Sequence, residues 1–84
     1  MSPAKRKIRV GYYALLREAA GKSQEELITS ADTPHALYAE LAERYGFRLT
    51  PAQLKVAVNA EFSDWSVPLE DGDAVVFMPP MAGG

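Results

Sequence analysis

Apolar and polar residues alternate from the first strand-forming stretch of the chain. Over residues 7–14, Ile8, Val10 and Tyr12 interleave with Arg9, Gly11 and Tyr13. Period-two alternation among β-branched and aromatic residues predicts a strand. Leu15–Ala20 follows as a short helical stretch closed by Gly21, and residues 24–29 predict a second strand paired with the first through a long connection. The period then changes. Thr33 is placed to cap a helix whose first position is Pro34, a residue preset for that place. Leu37, Leu41 and Tyr45 recur at helical spacing, Tyr38 and Ala42 widen the stripe, and Gly46 ends it. Pro51–Leu54 reads as one turn of a connector. Lys55–Asn59 is a strand, Asn59–Glu61 a turn, and 62–67 an irregular stretch or short edge strand. Glu70-Asp71-Gly72-Asp73 is a turn. Ala74–Met78 is an apolar strand stopped by Pro79-Pro80, neither of which donates to a ladder.

One main helix covers one face of a sheet, so the order predicts a two-layer α+β domain. A strand before the helix and one after it lie parallel through a right-handed crossover. This suits a β-grasp fold: a mixed sheet of four to five strands, first and last strands central, with the helix packed on one face. Residues 1–6 form a loose basic arm, 7–80 the domain, and 81–84 a flexible tail.

Composition narrows the chemistry. The 84 residues are 48% apolar and 24% charged, with 9 basic against 11 acidic residues. These values fit one folded domain and disfavour a general nucleic-acid binder, which carries a basic excess. There is no cysteine and a single histidine, His35. Disulfides, thiolate chemistry and multi-histidine metal sites are excluded, so no metal is expected. No apolar run reaches the roughly 18 residues of a spanning helix, and no secretory h-region follows the basic N-terminus. The expectation is a cytoplasmic protein with no membrane or nucleic-acid partner. Asp71 and Asp73 read as a solvated turn rather than a cation site, and His35 as an exposed or partly packed histidine. The glycines are too dispersed for a phosphate loop.

Two features remain. With Ile8, Val10, Tyr12, Val75 and Phe77 facing the helix, alternation turns Gly11, Tyr13, Val76 and Met78 to the other face. That face is a partner surface, unless the 62–67 segment with Trp65 covers part of it. Beside it, the chain leaves through a stiff diproline and ends in Met81-Ala82-Gly83-Gly84. On the glycines alone this is a frayed end, or a thin thread able to enter a narrow channel and present a carboxylate there.

The run Ile8-Arg-Val-Gly-Tyr-Tyr-Ala-Leu-Leu-Arg-Glu-Ala-Ala-Gly21 resembles the opening strand and turn of the small subunits of molybdopterin synthase. Val56-Ala-Val-Asn-Ala-Glu61, Pro68-Leu-Glu-Asp-Gly-Asp73 and Val75-Val-Phe-Met-Pro-Pro-Met-Ala-Gly-Gly84 resemble their C-terminal half. The departures are Tyr-Tyr for the commoner phenylalanines, and Met78 and Met81 for an aromatic and a valine. The resemblance implies a ubiquitin-like sulfur carrier. Gly84 would be adenylated with ATP by an E1-like adenylyltransferase and converted to a thiocarboxylate, with a sulfurtransferase or cysteine desulfurase as sulfur source. The tail would then enter the large subunit and donate sulfur to cyclic pyranopterin monophosphate. The resemblance also implies partner contacts at Tyr13, Arg17, Phe62, Met78, Pro79, Pro80, Met81, Ala82 and Gly83, and a heterotetramer. This chain would bind no cofactor and serve as a non-catalytic donor, with the catalytic groups in the large subunit. Carriers for thiamine or tRNA thiolation and ubiquitin-like modifiers share the Gly-Gly end. A β-grasp module without chemistry is the alternative of another class.

Overall fold

The computed structural model describes residues 5–79. Five strands form one sheet in the order β2-β1-β5-β3-β4, where β1 is Arg6–Tyr12, β2 Gln24–Thr29, β3 Lys55–Val58, β4 Glu61–Ser63 and β5 Ala74–Met78. A short helix α1 (Leu15–Ala20) links β1 to β2, and the main helix α2 (Pro34–Tyr45) links β2 to a 3-10 turn (Pro51–Gln53) before β3. β1 and β5 pair in parallel, with Val10 opposite Val75 and Tyr12 opposite Phe77. The other pairings among these strands are antiparallel. This is the expected β-grasp arrangement. Several boundaries differ from the reading of the sequence. β1 begins at Arg6, whose guanidinium donates to the carbonyl of Ala31 at 2.9 Å. It ends at Tyr12, because a turn removes Tyr13 and Ala14 from the ladder. The stretch after residue 60 supplies a three-residue edge strand that starts at Glu61.

Alternation decides the core. Ile8, Val10, Tyr12, Val75 and Phe77 all have zero exposure and face α2, which buries Leu37, Tyr38 and Leu41 against them. Truncating either of these leucines to alanine removes packing worth about 2–5 kcal/mol. α2 starts where Thr33 Oγ1 accepts the Ala36 N–H at 3.1 Å and stops at Gly46, whose φ of 74° suits a residue without Cβ. Thr29, a buried polar residue, donates to Glu40 at 2.7 Å and so ties β2 to α2.

Trp65 belongs to this core side. It stacks on Phe77 with centroids 5.7 Å apart and meets Tyr38 edge-on at 5.8 Å. Sequence reasoning left open that it covers the opposite face; the return of the chain from β4 toward α2, fixed by the His35 N–H donating to the Trp65 carbonyl, puts it here instead. The acidic turn is consumed by backbone donors. Asp71 accepts the Lys7 N–H, Asp73 accepts the Glu70 N–H and the Asn59 side-chain amide, and the Gly72 N–H donates to the Lys7 carbonyl. His35 is exposed on the first turn of α2.

A second polar cluster lies at the far end of the same layer. Glu25 is 15% exposed at its side chain and accepts hydrogen bonds from Tyr12 at 2.5 Å and Tyr45 at 2.7 Å, with Lys22 at 3.5 Å. Burial works to raise its pKa, but the two hydroxyls and the ammonium outweigh it and hold the carboxyl below its usual value. Burial and the bond to Glu25 push the Tyr12 hydroxyl upward.

Local chemistry makes two outcomes testable. Asn59 and Ala60 form a two-residue hairpin turn with φ of 53° and 72°. Alanine is disfavoured there by about 1–2 kcal/mol, and glycine returns part of the gain as unfolded-state entropy. Ala60→Gly should therefore stabilise the fold by about 0.5–1 kcal/mol, read as a rise in Tm of about 3–6 °C. For Glu25 the folded pKa lies below the unfolded one. Its contribution is complete above the unfolded value of about 4.3 and is lost as pH falls through the folded value. Urea unfolding from pH 7 to pH 3 should show Glu25→Gln less stable at neutral pH, with a shallower loss in acid than the parent chain.

Candidate functional site

The sheet face opposite α2 carries no covering element among the described residues. Its central row reads Gly11, Val76, Ala57 and Phe62 across β1, β5, β3 and β4. Gly11 makes this row flat: a Cβ there would stand 3.2 Å from a Val76 methyl group. Toward the C-terminal end of β5 the flat row gives way to a groove of about 970 Å³ lined by Tyr13, Ala14, Leu15, Leu49, Ala52, Gln53, Leu54, Lys55, Phe62, Met78 and Pro79. Tyr13, Leu15 and Phe62 are large apolar groups left 54%, 61% and 71% exposed. Exposed apolar area concentrated in one place marks a surface for a partner.

Local geometry sets the two aromatic walls. Tyr13 leads a tight turn in which the Leu16 N–H donates to the Tyr13 carbonyl at 3.1 Å. Ala14 takes φ 52° and ψ −124°, a conformation that favours glycine. The turn is closed by burying Leu16, at 2% exposure, so Leu15 is forced outward into the groove. Opposite, the β3–β4 hairpin holds Phe62 across from Ala57, and Lys55 sits with its ammonium 5.7 Å from the Phe62 ring centre.

Of the residues singled out from sequence, Tyr13, Phe62, Met78 and Pro79 come together as groove lining. Arg17 does not join them; it is exposed on α1 and makes no ion pair with the described residues. Pro80, Met81, Ala82, Gly83 and Gly84 lie outside the described residues. Sequence reasoning missed Leu15, Leu49 and Lys55. The Leu15-Leu16 pair carried a usable signal, since a six-residue helix on one face of a sheet can bury only one of two adjacent leucines. Among the described residues no three His, Asp or Glu side chains stand together as metal ligands. No helix there is long and apolar enough to cross a membrane. The titratable groups that depart from their ordinary behaviour, Tyr12, Lys22, Glu25 and Tyr38, all lie outside the groove lining. The arrangement is suited to docking, with the chain emerging from the groove at Pro79.

A model of the ThiS family matches residues 10–84. The molybdopterin synthase sulfur carrier subunit of Escherichia coli (strain K12) is 35% identical over 80 residues, covering 92% of this chain and 99% of that protein. A putative molybdopterin converting factor subunit 1 from Pyrococcus furiosus superposes with a TM-score of 0.73 at 28% identity, covering 90% of this chain and 99% of that one. A chain in the complex of subunits 1 and 2 of the molybdopterin-converting factor from Helicobacter pylori 26695 superposes with a TM-score of 0.63 at 26% identity, covering 93% and 99%.

If Phe62 serves docking and Trp65 serves packing, stability separates them. Phe62→Ser should change the unfolding free energy by no more than about 0.5 kcal/mol, as for other exposed positions. Trp65→Ala should cost about 3 kcal/mol through lost stacking and a cavity. Thermal unfolding of the two variants, three residues apart, checks the assignment.

Proposed function

The chain belongs to the ThiS family, and from that membership we propose that it is the sulfur-carrying small subunit of a molybdopterin-converting factor. The observation that carries this reading is the end-to-end match to the Escherichia coli sulfur carrier subunit. It is supported by the apolar groove at the root of the tail, the place where a second subunit would seat.

In this reading the groove and the tail divide the work. Tyr13, Phe62, Met78 and Pro79 hold the partner, and Arg17, exposed on α1 outside the groove, adds a separate contact. Pro79-Pro80 stiffens the exit, Met81 and Ala82 step down in bulk, and Gly83-Gly84 passes a channel that a Cβ would block. The Gly84 carboxylate is a poor acyl donor. An E1-like adenylyltransferase joins it to the α-phosphate of ATP and releases pyrophosphate. The persulfide sulfur of a sulfurtransferase or cysteine desulfurase displaces AMP to give an acyl disulfide, and a second thiol cleaves the S–S bond, releasing the thiocarboxylate and ending in a disulfide with the carrier cysteine. Docked in the large subunit, the thiocarboxylate gives its sulfur to cyclic pyranopterin monophosphate, and water restores the carboxylate. The acids and bases of that transfer belong to the large subunit, and this chain acts as the donor. The reading places the chain in the cytoplasm, in a heterotetramer with two large subunits.

Deleting Gly84, or adding one residue after it, should abolish sulfur transfer in a reconstituted synthase while circular dichroism and Tm stay at parent values. The intact chain should rescue a molybdopterin-deficient host and fail to rescue a thiamine-requiring one. Sulfur transfer retained by either tail variant, or rescue of the thiamine requirement alone, would overturn the reading.

A further inference from the structure

One charged side chain stands in the apolar groove. Lys55 opens β3, pairs across to Met78 at the end of β5, and holds its ammonium 5.7 Å from the Phe62 ring centre. Arg9, Lys22 and Arg44 each have a carboxylate within 3.5 Å. Lys55 has none among the described residues. In the isolated chain this costs little, because Lys55 is exposed and hydrated. A partner that closes over the groove changes the balance. It takes water from the ammonium, and a wholly apolar partner surface would leave a buried, unpaired charge. The face of Phe62 compensates for only part of that loss.

We propose that the groove takes a partner segment that is apolar over most of its contact and carries one Asp or Glu carboxylate, which pairs with Lys55. This rests on the groove being the docking surface of the functional reading above, and it specifies the chemistry of what docks. Position gives the pair its use. Lys55 is locked in register with Met78, one residue before Pro79. A carboxylate held on Lys55 therefore fixes the partner's register at the point where the tail departs. An apolar contact alone can slide; an ion pair at the tail root cannot slide without leaving both charges desolvated and unpaired.

The test is calorimetric titration of the full-length chain with subunit 2 of the molybdopterin-converting factor from the same organism, at low and high sodium chloride. The parent chain should bind several-fold more weakly at high salt. Lys55→Met should bind about tenfold more weakly than the parent at low salt and lose most of the salt response, and Lys55→Glu should bind about a hundredfold more weakly. A single Asp→Lys or Glu→Lys change on the partner should restore binding to Lys55→Glu. All chains should unfold within about 2 °C of the parent, as expected for an exposed position. Lys55→Glu binding within about twofold of the parent overturns the proposal. If Phe62→Ser then weakens binding, the groove still docks and the functional reading stands. If neither variant changes binding, the groove is not the docking surface. If subunit 2 does not bind even the parent chain, the functional reading falls and takes this proposal with it.

Discussion

The parallel pairing of β1 with β5 is the contact on which the rest of the structure depends. It joins strands near the two ends of the chain and makes them the centre of the sheet. Each then has a ladder on both sides, β1 with β2 and β5 with β3. Their inward side chains have no exposure, because α2 closes over the middle of the sheet. The acidic turn before β5 reinforces the same contact: its carboxylate and amide groups bond the backbone where β1 begins. Loss of this pairing would separate the core, the groove wall at Tyr13 and the strand that leads to the tail.

The two sheet faces use aromatic residues differently. On the α2 side, Tyr12, Tyr38, Phe47, Trp65 and Phe77 pack ring against ring. On the other side the centre is kept low by Gly11, Ala57 and Val76, and the aromatic groups are set at the margins. The result is a concave apolar surface at one end of the sheet. Its walls come from a strained turn at Ala14 and a tight hairpin at Asn59-Ala60. Backbone held in sparsely populated conformations on both sides of the groove fits a surface shaped for contact as well as for stability.

Much of this was legible in the sequence. Period-two alternation in β1 and β5 named all five of their core residues, and Thr33-Pro34 with Gly46 bounded α2 to the residue. The outward placement of Tyr13 and Met78 came from the same parity. What was hidden depends on tertiary geometry. Trp65 could be assigned to neither face, because the chain leaves β4 without regular structure and no period extends to it. Leu49 and Lys55 are distant in sequence from Tyr13 and meet it only through the crossing of β3 beside β5. Nothing in the sequence singled out Glu25; only the approach of Tyr45 from α2 shows why a carboxylate stands on the core side of β2.

The central position of β5 has a mechanical consequence. Any force on the chain beyond Pro79 enters the sheet along the axis of a strand bonded on both sides. Such a load shears the ladders to β1 and β3 together, so their hydrogen bonds share it. A strand at the edge, pulled across its axis, would instead unzip, its bonds breaking in succession. The chain that continues from Pro79 is thus rooted where the domain resists traction best, and a partner that grips it pulls against the whole sheet.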